Sequence, residues 1–446
     1  MPYFHKKISP KVFVIGLDGV PYTFLVEKIR KNELPNMQNI FAQGTLRQMT
    51  TVLPPISTVA WSTFATGVNP ARHRIFGFTD RKIPSMEIFI PTAAHRTAPT
   101  LWQILSKNNK KVGIINVPCT YPPEPVNGFL VSCFLATDLN KATYPPNLAA
   151  ELKKINYIID VDTWKVQKDR DALLDDLNTA LQRRLIATLS LMKSYQWDFF
   201  MTHVMETDRI NHFFWEYMET NDPQYGARVH DFYSRIDAFV GEIYANLPRD
   251  TILIMLSDHG FCTLKKEVYV NYFLKTQGLL YLKNDEAKSP VDILPGTISY
   301  SLLPGRIFIN CKGREALGSV EPGSPTEKAK KKTIDLLSEL RDPDTNEPVV
   351  REIYRREDVY NGKYLDEAAD IIAIPHNGYD LKGNFDRNVL TAKDSLRGMH
   401  THDDAFLFAT AKEITTLKPN IIDVAPSILQ LFNIHAKEME GKVCFQ

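Results

Sequence analysis

The run Thr251-Ile252-Leu253-Ile254-Met255-Leu256 is apolar, and it leads into Ser257-Asp258-His259-Gly260, an acid and an imidazole side by side. A simple turn accounts for Asp and Gly at the end of a strand. The pattern recurs, however. Asp18 follows "VFVIGL", Glu206 and Asp208 follow "WDFFMTHV", and Ser57 and Thr58 open a helical stretch behind "TLRQMTTV". A lone acid at a strand end usually caps the next helix. Four such ends rich in metal-ligand types point to a metal centre instead.

Spacing adds to this. Asp208 and His212 are four residues apart, which puts them on one helix face. "RGMHTHDDAF" offers His400 and His402 before another apolar run. In extended chain the two imidazoles lie about two strand rises apart, so a single ligand is expected from the pair. Asp18, Asp208, His212, Asp258, His259 and one of His400 and His402 make six nitrogen or oxygen donors. Mixed imidazole and carboxylate donors favour zinc, with manganese or iron next, over magnesium or calcium. Six donors exceed the needs of one tetrahedral ion. They fit two divalent ions about 4 Å apart, a geometry used for in-line displacement at phosphorus. Ser57 is then the candidate nucleophile. It stands where a loop turns into a helix, and free backbone N–H groups there favour a phosphate. The plain alternative is that Ser57 or Thr58 is only an N-cap.

Positioning these groups requires short buried strands alternating with helices. "VFVIGL", "WDFFMTHV" and "TILIML" read as strands buried on both faces, with helical patterns near 22–31, 36–43, 171–194, 208–217 and 224–247. The expected fold class is α/β, a central mostly parallel sheet with helices on both faces. Sites in such sheets lie beyond the carboxyl ends of the strands. We expect a single domain over residues 1–446, with insertions at about 80–165 and 265–365 forming a cap. "ADIIAIP" is expected to resume the central sheet, and Ser324 to Glu327 to form a capping box. Lys328 to Lys332 are expected on a solvated helix face. Asp80, Arg81 and Lys82 either line the site entrance or sit on a solvated turn.

Composition narrows the partners. The 53 Lys and Arg against 52 Asp and Glu give a net charge of +1, which excludes a basic nucleic-acid surface. The five cysteines are scattered and form no CxxC pair, as expected of reduced thiols in the cytoplasm. No run has the length of a signal peptide or a transmembrane span. The expected partner is a small-molecule phosphate ester.

"GLDGV", "PPISTVAWSTFATGVNPARHRIFGF", "METDRINHFFW", "LSDHGF", "GMHTHDDAF" and "DVAPSILQLF" together resemble the alkaline phosphatase superfamily, in its type I phosphodiesterase/nucleotide pyrophosphatase-like branch and the related group of phosphohydrolases and phosphomutases. The resemblance implies one metal site at Asp18, Ser57, Asp258 and His259, with Ser57 as nucleophile. It implies a second at Asp208, His212 and His400, which leaves His402 near the substrate. Two departures stand out. Serine occupies a position where phosphodiesterase members commonly carry threonine, and Phe78 stands where nucleotide pyrophosphatases hold a phosphate oxygen with asparagine. The implied activity is two-metal hydrolysis of a phosphate monoester or diester through a phosphoseryl intermediate. A phosphotransferase or phosphomutase, and a non-catalytic binding protein on the same scaffold, are the alternatives.

Overall fold

The computed structural model describes residues 10–435 and 437–446. Its centre is an eight-stranded sheet in the order Gly44–Met49, Ala405–Thr410, Thr251–Leu256, Lys11–Leu17, Phe199–Val204, Val112–Ile115, Gly128–Val131, Thr143–Tyr144. The five strands from Thr251–Leu256 to Gly128–Val131 are parallel; the flanking ones are antiparallel. This is the mixed α/β architecture expected.

The alternation along Lys11–Leu17 explains the two layers. Phe13, Ile15 and Leu17 point to one face, where they meet the helices Tyr22–Arg30, Pro35–Phe41, Arg170–Ser194, Glu206–Glu219 and Gly226–Ala245. Val12 and Val14 point to the other, against Ser57–Thr66, Leu101–Lys107 and Val424–Leu431. Each side chain is fully buried, and each such burial contributes roughly 1.5–3 kcal/mol. Phe13 stacks on Phe200 with ring centroids 5.0 Å apart, which ties the two central strands together. The helix Arg170–Ser194 starts where Asp169 accepts the Ala172 N–H at 2.9 Å. The helix Ser57–Thr66 stops at Gly67, whose φ of 62° suits glycine.

A second, antiparallel sheet runs in the order Ser299–Leu302, Arg306–Ile309, Ile371–Pro375, Val350–Arg355 and has its own apolar cluster. Four expectations need correction here. The strands within 112–144 extend the central sheet rather than a cap, because each finds a pairing partner at the edge beyond Phe199–Val204. "ADIIAIP" builds the second sheet, not the first. The helix Ser324–Ser338 has no capping box: Gly323 takes the N-cap position, leaving Ser324 inside the helix. On that helix Lys331 is exposed, but Lys330 is buried between Glu327 and Glu357. Asp80 and Arg81 also depart from both readings. They are buried, with Arg81 paired to Glu315 at 3.0 Å and Asp80 3.6 Å from Arg306.

Candidate active site

The three central strands carry their acids to one edge because they run parallel and in register: Gly16 lies opposite both His203 and Leu256. Asp18, Asp208 and Asp258 therefore leave the sheet together. Gly19 (φ 67°) makes the tight turn after Asp18, and its N–H donates to Asp258 Oδ1 at 3.0 Å. A Cβ at Gly19 would sit 2.6 Å from the Phe261 ring, so the turn and the packing both demand glycine.

Ser57 is not an N-cap. Ile56 holds that position and Ser57 is the first helical residue, with no side-chain capping bond. Its Oγ points instead to the acids, 3.1 Å from Asp18 Oδ1 and 3.2 Å from His259 Nε2. His259 Nε2 lies 3.3 Å from Asp258 Oδ2 and 3.6 Å from Asp18 Oδ1. Beside this group, His400 Nε2 lies 3.2 Å from Asp208 Oδ1 and 2.9 Å from His212 Nε2, and His212 Nε2 lies 3.4 Å from Asp208 Oδ1. The two groups touch: the His259 and His400 rings stack with centroids 3.6 Å apart. All seven residues expected at the site converge. His400 stands with Asp208 and His212, on the strand Gly398–Thr401. His402 is not part of this group: it contacts Arg351 Nη2 at 2.9 Å and lines the cavity in front of His400.

The imidazoles are held in one tautomer. His400 Nδ1 donates to the Pro55 carbonyl at 2.8 Å and His259 Nδ1 to the Gly260 carbonyl at 3.1 Å. Carbonyl oxygens only accept, so in the neutral rings both Nε2 lone pairs face the acids, the arrangement expected of metal ligands.

Electrostatics points the same way. Asp18, Asp208 and Asp258 are buried, and among the described residues no Lys or Arg pairs with Asp18 or Asp258. Arg209 approaches Asp208 at 3.4 Å but is shared with Asp160. Burial, with the charge of Asp18 beside it, pushes the Asp258 carboxyl well above the carboxylate range, and its Oδ2 has no hydrogen-bond partner among the described residues. Burial, with His400 alongside, drives the His259 imidazole down to about 3. For Asp208, burial works upward, but His212 and His400 outweigh it and hold the carboxyl below its usual value. Three clustered acids, an orphaned carboxylate oxygen and inward-turned Nε2 atoms fit divalent metal ions. Donor atoms of Asp18, Asp258 and His259 lie within 4.8 Å of one another, as do those of Asp208, His259 and His400.

Two positioning residues escaped the sequence reading. His203 Nε2 donates to Asp18 Oδ2 at 2.8 Å, and Trp61 Nε1 donates to the same oxygen at 2.9 Å. His203 sits inside an apolar strand, where a polar residue is itself the signal. Glu206, by contrast, is bound by the buried Arg184 at 2.7 Å and faces away from the acids.

In front of His212 and His400 lies a cavity of about 220 Å³. Its walls come from the Pro54 to Ile56 loop, from Phe78, and from the second sheet with its neighbouring segments, including Leu303, Arg351 and Lys382. Phe78 stacks near Phe134 with centroids 6.0 Å apart.

Known proteins share this architecture. Human ectonucleotide pyrophosphatase/phosphodiesterase 5 superposes with a TM-score of 0.57 at 15% identity over 97% of both chains. An inactive murine form of that protein in complex with AMP gives a TM-score of 0.59 at 14% identity, covering 98% of this chain and 100% of the other. Phosphonoacetate hydrolase from Sinorhizobium meliloti 1021, in complex with phosphonoformate, gives 0.63 at 16% identity over 96% of both. At such identities the likeness establishes the fold. No curated protein sequence matches the chain. The sequence pattern of type I phosphodiesterase/nucleotide pyrophosphatase matches residues 12–403, nearly the whole length. The chain belongs to the type I phosphodiesterase/nucleotide pyrophosphatase family of the alkaline phosphatase superfamily.

Proposed function

We propose that the protein hydrolyses a phosphate ester by nucleophilic attack of Ser57 on phosphorus, with two divalent metal ions as cofactors. The observation that carries this reading is the position of Ser57 Oγ, 3.1 Å from Asp18 and 3.2 Å from His259, at the start of a helix rather than in a cap. His259, pushed down to about 3, is too weak a base to take the serine proton unaided. Divalent ions held by Asp18, Asp258 and His259, and by Asp208, His212 and His400, would lower the serine pKa and neutralise phosphoryl charge. The donor set favours zinc, then manganese.

The chain's own groups do the rest. The Val59 N–H already donates to the Ile56 carbonyl at 3.0 Å, which leaves the Ser57 and Thr58 N–H groups at the helix start to suit the phosphoryl oxygens. Ser57 Oγ forms the new P–O bond as the P–O bond to the leaving group breaks, with the serine proton passing by way of solvent to the departing oxygen, giving a phosphoseryl intermediate. Water then cleaves the phosphoserine and returns the hydroxyl. Relatives on this fold whose descriptions name a nucleotide pyrophosphatase and a phosphonate hydrolase support a phosphorus-centred substrate. The five cysteines, all unpaired, support a reducing compartment.

The test combines metal analysis with a panel of monoesters, diesters and phosphonates assayed with zinc and with manganese. About two ions per chain and turnover abolished by chelation are expected. Undiminished turnover in the fully chelated protein overturns the proposal.

A further inference from the structure

The cavity in front of His212 and His400 separates its walls by chemistry. One end carries His212 and His400. The remainder is largely apolar, with Ile56, Phe78, Leu303, Ile374, Leu381 and Met399 among its lining. Phe78 keeps 39% of its surface exposed, a large apolar side chain left facing the opening.

Two cations also reach this space, Arg351 and Lys382, and either would suit a leaving group bearing a second anion. Both are already neutralised by the protein. Lys382 Nζ lies 2.5 Å from Asp380 and 3.6 Å from Glu267. Arg351 lies 3.3 Å from Glu352 and 3.4 Å from Asp403, and its Nη2 contacts His402. The two cations thus carry four carboxylate partners, of which Asp380 itself lines the cavity, close enough to His212 and His400 to feel their charge. A carboxylate or further phosphate entering there meets a net negative surround and must shed its water without a free partner. An uncharged, apolar group gains by leaving water.

Resting on the phosphohydrolase reading above, we infer that the leaving group of the substrate is an uncharged apolar alcohol or phenol rather than a nucleotide phosphate or a carboxylate-bearing fragment. The apolar wall receives the organic moiety, and the Asp380–Lys382 and Arg351–Glu352–Asp403 pairs select against anionic leaving groups.

Two inert ligands test this by calorimetry on the zinc-loaded protein. Phenylphosphonate carries an apolar body, and phosphonoacetate a carboxylate in its place. Phenylphosphonate is expected to bind about tenfold tighter or more. Asp380→Asn, which strips the nearer partner from Lys382, is expected to move the affinity ratio toward phosphonoacetate. Tighter binding of phosphonoacetate by the unaltered protein overturns this inference alone, as does a ratio unmoved by Asp380→Asn. Binding of neither ligand overturns the phosphohydrolase reading as well.

Discussion

His212 Nε2 and His400 Nε2 face each other at 2.9 Å, with Asp208 Oδ1 within 3.4 Å of both. The His400 ring cannot turn away without breaking its bond to the Pro55 carbonyl. His402, two residues on, contacts Arg351 instead. His400→Ala is therefore expected to reduce bound metal from about two ions to about one and to remove nearly all activity. His402→Ala is expected to retain both ions and alter the Michaelis constant. Metal content of the two purified variants decides, and the reverse pattern moves the ligand to His402.

Asp258 Oδ2 is buried with no hydrogen-bond partner among the described residues, and its carboxyl is pushed well up by burial and by Asp18. A group so costly to ionise in the bare protein needs a cation. Asp258→Asn removes the buried acid and the ligand together. We expect weaker metal binding with a thermal midpoint no lower than that of the metal-free parent. Unchanged metal affinity in this variant contradicts a ligand role.

His203 and Trp61 both donate to Asp18 Oδ2, which leaves Oδ1 to face Ser57. Losing such an orienting partner typically weakens metal binding about 10- to 100-fold. His203→Ala is expected to show that loss in competition with a chelator, and His203→Gln, which restores a donor, to recover much of it. Equal affinity in the two variants rules out an orienting role.

His73 is not among the candidate site residues and sets a pH dependence of stability. It is fully buried, accepts the Ile75 N–H at Nδ1 (3.1 Å) and meets Thr63 Oγ1 at Nε2 (3.0 Å). The ring is neutral, and burial, with Arg96 nearby, pushes it from 6.5 down to about 3. The unfolded chain takes up this proton near 6.5 and the folded chain does not, so stability falls as pH drops below 6.5. The contribution lost between pH 7 and pH 5 is about 2 kcal/mol. Urea titrations of the metal-free protein should show a smaller acid loss in His73→Gln than in the parent. An equal loss in both removes His73 as the cause.

The candidate site was legible because its acids follow apolar strands that pair in parallel, so a local pattern carries the long-range geometry. Asp18, Asp208, Asp258 and His259 are all of this kind. Ser57 was legible as a helix start, but only its distance to Asp18 separates a nucleophile from a cap. The strands Val112–Ile115 and Gly128–Val131 are four residues each, too short to reveal whether they join the main sheet or another. Arg81 and Glu315 are 234 residues apart, so no local pattern announces their ion pair. At Ser324 the capping signature was present, but Gly323 at φ 83° enters the helix one residue earlier.

The central claim is that Ser57 carries the phosphoryl group. The direct measurement is peptide mapping by mass spectrometry after acid quench of the metal-loaded protein during turnover of an ester substrate. A phosphoryl adduct is expected on Ser57, absent from Ser57→Ala, which should still bind its metal. An adduct on Thr58, or full turnover by Ser57→Ala, contradicts it.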